Sequence, residues 1–375
     1  MAQKREKLMD TFNHLLDIVV QSPHRQMALA TIIDVTGSAY RKEGATMLIF
    51  EDGSKVGMLS AGCLEEDVAE RAKKVIDSGE AYTIKYDTSA EDDFSWGRGA
   101  GCNGVITILI EPVKGTLLSN LIKAKKFLDR KKTVTRVIQL SRDFEILDDF
   151  FVMEDELAKG SEWNLDEPRL SNFVTGFGYH NKADAPFLAT VLHPYRIIDA
   201  PILKTGLYYD NKTDTHYFIH RLSPRPRLIV FGAGEDARPV VSLAARTGFN
   251  VTVADWRPAL CTEEFFPEAA RLVTGSSEQI WRKISLTRED FALVMTHQFQ
   301  KDQTLIEGIL QNGPLTYLGV LGPADRTARL LKGARKPEWL RSPAGFSIGA
   351  QGPEEIAVSI VAEMIAMLRE KETGR

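Results

Sequence analysis

Cysteine is scarce in this chain: Cys63, Cys102 and Cys261 are the three thiols among 375 residues. That number excludes a disulfide framework and an iron–sulfur ligand set, and no C-x-x-C pair is present to hold structural zinc. Free thiols suit a reducing compartment, so a cytoplasmic location is expected. Long apolar runs are missing too. No stretch reaches the roughly 18 residues a spanning helix needs, and the N-terminus lacks the apolar core and cleavage site of a signal peptide. No membrane association is expected. Nor is there an excess of positive charge. Lys and Arg number 47 against 51 Asp and Glu, a net charge of −4, which excludes nucleic-acid binding by bulk electrostatics. G-x-S-x-G, H-E-x-x-H, Walker and zinc-deaminase patterns are absent, so hydrolase, protease and P-loop kinase chemistry have no support.

What is present is an ordinary globular composition, 43% hydrophobic and 26% charged, in a length that suits two or three domains. Leu8, Phe12, Leu15, Leu16 and Val19 recur at helical spacing. A strand follows over Met27–Val35. Asp52-Gly53 between Thr46–Glu51 and Lys55–Leu59 is a hairpin signal. A helix with Leu64, Val68, Ala72, Val75 and Ile76 on one face comes next, then strands Ala81–Tyr86 and Val105–Glu111. Beyond it, Leu117–Leu128 reads as a helix, and Val134–Leu140, Asn172–Gly178, Phe187–Leu192, Gly206–Tyr209 and His216–His220 read as strands. The acidic stretch Asp143–Leu165 reads as partly irregular. Ser223-Pro224-Arg225-Pro226 is a stiff linker, and strand and helix alternate after it, the mark of a parallel sheet. The expected class is α/β: a mixed α+β domain over 1–115, a β-rich intermediate segment over 116–222, and a Rossmann-like doubly wound domain over 227–375.

Four constellations carry chemistry. Gly232-Ala233-Gly234-Glu235-Asp236-Ala237 is a G-x-G-x-x-A run between a strand and a helix, and Asp255 ends the next strand, as in a dinucleotide fingerprint. Gly232 and Gly234 allow the tight turn, backbone N–H groups can meet a phosphate, and Asp255 can accept from a ribose diol. An acid at 255 disfavours a 2′-phosphate. Glu235 and Asp236, however, put two acids beside the phosphate seat. The second constellation is Ser60-Ala61-Gly62-Cys63-Leu64-Glu65-Glu66 at a helix start, where a thiol gains nucleophilic or metal-binding character. Its carboxylates can accept paired N–H bonds from a guanidine-like heterocycle. The third is Gly97-Arg98-Gly99-Ala100-Gly101-Cys102-Asn103-Gly104, whose glycines allow close backbone approach to a phosphate or planar ligand. Cys63 and Cys102 together would suit a soft metal or a sulfur-bearing ligand. The fourth is Thr296-His297 at a strand end, where the ligand crevice of a parallel sheet opens. For each, a purely structural role is the competing explanation, and Cys261 reads as a packing residue.

Together these pieces resemble the XdhC/CoxI family of xanthine dehydrogenase accessory proteins. The residues that carry the likeness are Gly37–Met47, Asp52-Gly53-Ser54, Gly62-Cys63-Leu64-Glu65-Glu66 and Gly99-Ala100-Gly101-Cys102-Asn103-Gly104. They continue with Phe231-Gly232-Ala233-Gly234, Asp255-Trp256-Arg257, Thr296-His297, Leu318–Gly322 and Pro353–Ala357. Residues 116–220 do not share it. The family pattern often has histidine where Glu235 stands and glycine where Asn103 stands.

The resemblance implies a maturation factor that binds the molybdenum–pterin cofactor, promotes addition of its terminal sulfido ligand and passes it to a molybdenum hydroxylase such as xanthine dehydrogenase. Cys63 and Cys102 would contact molybdenum or carry sulfur, and Glu65 and Glu66 would hold the pterin N–H groups. The loops at Gly62, at Gly99, Gly101, Asn103 and Gly104, and at Gly232, Gly234 and Ala237 would take its phosphate or a nucleotide extension. A cysteine desulfurase is a further expected partner, and the apolar final helix would serve a homodimer or pack on the sheet. Two alternatives stand beside this. One is an NAD-dependent oxidoreductase using Asp255, with His297 as general acid/base. The other is an adaptor with inert cysteines. Xanthine oxidation by this chain alone is not expected.

Overall fold

The structure, a computed structural model, describes residues 12–60, 62–87, 103–153, 204–211 and 213–373. Two compact units meet in sequence at Pro224 and Arg225.

The first unit begins with α1 (Phe12–Gln21) and β1 (Met27–Ser38). The hairpin β2 (Thr46–Phe50) and β3 (Lys55–Gly57) turns at Asp52-Gly53, where Gly53 adopts φ +80°. Helix α2 (Glu65–Ser78) has Leu64 as its N-cap and ends on left-handed Gly79, the usual glycine stop. Strands β4 (Tyr82–Asp87) and β5 (Asn103–Pro112) complete a five-stranded sheet of order β3-β2-β1-β5-β4. Alternation decides its two faces. Ala28, Ala30, Ile32, Ile106, Ile108 and Ile110 pack beneath Val68, Ala72 and Val75 of α2. Met27, Leu29, Leu48 and Phe50 face α1 and α3 (Gly115–Asp129).

A second antiparallel sheet, order β7-β6-β9-β8, is built from β6 (Val134–Leu140), β7 (Ile146–Met153), β8 (Gly206–Asp210) and β9 (Thr215–Leu222). Strand β7 lies inside the acidic stretch expected to be partly irregular. The reason is a tertiary partner: Asp149 on β7 meets the guanidinium of Arg136 on β6 at 2.8 Å, and Arg136 also grips Glu111 at 2.6 Å. The expected strands Asn172–Gly178 and Phe187–Leu192 lie outside the described residues.

The second unit is doubly wound. Six parallel strands run in the order β12-β11-β10-β13-β14-β15: β10 (Arg227–Phe231), β11 (Asn250–Asp255), β12 (Arg271–Thr274), β13 (Phe291–Val294), β14 (Tyr317–Val320) and β15 (Leu340–Arg341). In order of appearance that is 3-2-1-4-5-6, the Rossmann arrangement. Leu228, Val230, Val251 and Val253 face α4 (Ala237–Arg246) and α8 (Gly352–Thr373). Ile229, Phe231, Ala292 and Val294 face α5 (Ser277–Lys283) and α6 (Phe299–Asn312), with α7 (Ala324–Leu330) on the same side. The apolar stripe of α8, Ile360, Val361 and Met364, is therefore buried on its own sheet. Tyr317 donates to Glu363 of that helix at 2.7 Å.

Candidate functional site

In the first unit the expected thiol sits in a turn organised by one carboxylate. Glu65, 6% exposed, accepts from the backbone N–H of Leu59 at 3.1 Å and of Ser60 at 2.7 Å. Its other oxygen accepts from the Ser60 hydroxyl at 2.5 Å. Burial works to raise the Glu65 pKa, and the bonds from Ser60 and Leu59 outweigh it, so the net shift is downward. The Ser60 oxygen in turn accepts from the N–H groups of Gly62 at 3.3 Å and Leu64 at 3.1 Å, and from the Cys63 thiol at 3.4 Å. Gly62 adopts φ +111°, a conformation that favours glycine. Cys63 is half-buried, one residue ahead of the N-cap of α2.

The two neighbouring acids thus divide. Glu65 was expected to hold a ligand's N–H groups; instead its oxygens hold the chain's own. Glu66 is exposed and paired with Lys55. Cys102, Gly99 and Gly101 lie outside the described residues. Asn103 opens β5 opposite Ser38, and Gly104 lies opposite Gly37. A Cβ on Gly104 would stand 2.6 Å from the Thr36 carbonyl oxygen, so only glycine lets β5 approach β1 there. Ser60 stands in the motif, but its role as the link between Glu65 and the thiol was not legible; a serine five residues before an acid carries no signal of its own.

In the second unit the strands' carboxyl ends gather Gly232, Gly234, Asp255 and His297. A Cβ on Gly232 would meet the Met295 carbonyl oxygen at 2.5 Å, so this glycine serves close packing of the loop on the chain after β13. Asp255, expected to accept from a ribose diol, is 1% exposed and bonded within the chain. It accepts from Ala233 N–H at 2.7 Å, and from Arg257 through its backbone N–H at 2.8 Å, Nε at 3.0 Å and Nη2 at 2.8 Å. Burial raises its pKa, but these bonds more than offset that and lower it. Arg257 and Lys301 both lie over Trp256, at 4.6 Å and 4.3 Å from the ring centre.

His297 adopts φ +60°, rare for a residue with a side chain. Its Nε2 lies 2.6 Å from Asp236 Oδ2. The Thr296 hydroxyl beside it donates to buried Asp302, whose other oxygen accepts from Arg326 at 2.6 Å. Asp236 is the N-cap of α4, and Ala237 is buried in that helix's first turn. Arg257, Lys301 and the Asp236–His297 pair were not legible as contacts. Only the Asp-x-Arg spacing hinted at the first. Among the described residues, no group of three or more His, Cys, Asp or Glu is placed to hold a metal ion, and no helix is long and apolar enough to cross a membrane.

A doubly wound nucleotide-type fold joined to an α+β unit that presents a thiol at a helix start defines the class. The comparisons give the family. Residues 20–87 match the XdhC and CoxI family and residues 228–364 the XdhC Rossmann domain. The chain is 40% identical over 358 residues to a protein of Bacillus subtilis described as a probable xanthine dehydrogenase subunit, covering 95% of this chain and 97% of that one. It is 21% identical to the molybdenum cofactor insertion chaperone PaoD of Escherichia coli, over 92% of this chain and 84% of the relative. A crystal structure described as a xanthine dehydrogenase from Bacillus halodurans superposes with a TM-score of 0.76 at 40% identity, covering 96% of each chain. This chain belongs to the XdhC and CoxI family.

Proposed function

We propose that the chain binds a molybdenum–pterin cofactor as cargo and delivers it to a xanthine dehydrogenase-type hydroxylase in the cytoplasm. Family membership and the likeness to a chaperone named for cofactor insertion support the reading. The observation that carries it is the Cys63 thiol, half-buried and seated by Ser60 in a turn that Glu65 locks from inside. A thiolate there is a soft donor beside the positive end of α2. In this reading Cys63 touches the metal, with Cys102 as a second sulfur. Glu66 accepts from the pterin's N–H edge, and Glu65 positions the turn. Addition of the sulfido ligand, with a cysteine desulfurase as sulfur source, belongs to the same proposal. NAD-linked hydride transfer had Asp255 as its ribose anchor, and Arg257 and Ala233 engage that carboxylate instead.

The test is the molybdenum and pterin content of the chain purified anaerobically from a host that makes the cofactor. Wild type should carry both, and Cys63→Ala, alone or with Cys102→Ala, should lose most of each while keeping its fold by circular dichroism. Equal cofactor in wild type and the double variant removes the thiols from the proposal. Steady urate production by the pure chain would refute the accessory role.

A further inference from the structure

The crevice of the Rossmann unit has its charges reversed. In a dinucleotide site the glycine loop meets the pyrophosphate and the acid after the second strand meets the ribose. Here the loop carries Glu235, exposed, and Asp236. Asp236 folds back over the loop, so that a Cβ on Gly234 would lie 2.6 Å from its Oδ1. The place where a phosphate would approach the loop is thus taken by a carboxylate of the chain, held by His297.

At the other side of the mouth the acid is withdrawn. Asp255 is buried under Arg257, which uses Nε and Nη2 on it and makes no hydrogen bond through Nη1 among the described residues. Lys301 has no carboxylate partner among the described residues and rests on the Trp256 ring. β10 lies between β11 and β13. A contact from Trp256, after β11, to Lys301, after β13, therefore spans the end of β10 above the glycine loop.

We propose that this mouth takes a phosphorylated heterocycle with its phosphate on Arg257 and Lys301 and its N–H edge on Glu235 and Asp236. A guanidinium with free donors and an unpaired ammonium are a phosphate seat. Two carboxylates accept the paired N–H donors of a 2-amino-4-oxo-pyrimidine ring, as guanine presents. This seat is separate from the Glu66 contact proposed for the pterin: the choice of ring rests on that reading only through the N–H pattern that pterin and guanine share, and the polarity of the mouth stands without it.

The experiment is calorimetric titration of the full chain with GMP, guanosine, AMP and NAD⁺. GMP should bind about tenfold more tightly than each of the others, the size of one charge-assisted contact. Lys301→Gln, which leaves the buried Asp255–Arg257 pair intact, should weaken GMP about tenfold and leave guanosine unchanged. Glu235→Gln should weaken GMP and guanosine alike and strengthen NAD⁺. NAD⁺ binding tighter than GMP, no GMP binding at about 1 mM, or a Lys301→Gln variant that binds GMP like wild type would each overturn the proposal. Molybdenum content of the same preparations separates the two readings. A chain that carries molybdenum through Cys63 yet ignores GMP keeps the cargo role and loses this site.

Discussion

Glu65 in the first unit and Asp255 in the second are both buried carboxylates beside a glycine turn that leads into a helix, and both accept backbone N–H groups of that turn. They differ in what balances the charge. Glu65 has a hydroxyl and two N–H groups and no cation. Asp255 has two N–H groups, of Ala233 and Arg257, and a guanidinium in bidentate contact. An acid next to a glycine motif is therefore not by itself a ligand-binding group. In each unit the acid builds the loop, and the groups proposed to meet a ligand are its neighbours: Cys63 and Glu66 in one, Arg257, Lys301, Glu235 and Asp236 in the other.

The comparison predicts unequal costs. Glu65→Ala leaves two N–H groups and a hydroxyl buried without acceptors, so it should destabilise the chain by about 3 kcal/mol in urea denaturation. Asp255→Ala leaves the backbone N–H groups of Ala233 and Arg257 but no hydroxyl, and the Arg257 side chain, 36% exposed, can turn to water; its cost should be about 2 kcal/mol. Equal losses would break the distinction between an acid balanced by dipoles and one balanced by a cation.

Acid should separate the two units as well. His220, buried in the second sheet of the first unit, has its pKa pushed down to about 3 by burial and by the Arg136 charge. The unfolded chain takes up this proton below about 6.5 and the folded chain does not. Stability of the first unit therefore falls as pH drops through that window, by about 1.4 kcal/mol per unit of pH at most. The lowered carboxyls of Glu65 and Asp255 have the same sign. Their contribution is complete above the unfolded values of 4.5 and 3.8 and is lost as pH falls toward the folded ones. Among the described residues the second unit holds one histidine, His297, exposed. Hydrogen exchange at about pH 5 should thus show faster opening in residues 134–140 and 215–222 than in β10 and β13. His220→Leu should flatten the difference.

The smallest effect belongs to the exposed pair at the thiol turn. Lys55→Ala should cost less than about 0.5 kcal/mol, because both partners reach water. A loss as large as that of Glu65→Ala would mean that Glu66 also builds the turn.

Much of this was legible in local pattern. The Asp52-Gly53 hairpin, the face of α2 and the alternating strands and helices after Pro226 follow from turn chemistry and periodicity, which act between near neighbours in sequence. Strand β7 was not legible. Its acids, Asp148 and Asp149, argue against a buried strand until Arg136 is placed opposite. Strand β15 is two residues long and has no period to read. At the sites, the motifs were visible but the partners were not.

The sequence by itself determined the family, the doubly wound half and the presence of a thiol and five acids beside glycine turns. Only the tertiary structure decided what those acids do. Whether a carboxylate is free depends on which donors lie within about 3 Å of it. Arg257 reaches Asp255 from two residues away, while Lys301 reaches Trp256, and His297 reaches Asp236, from segments far apart in the chain. Such distances are set by how the sheet packs, not by the local pattern of residues.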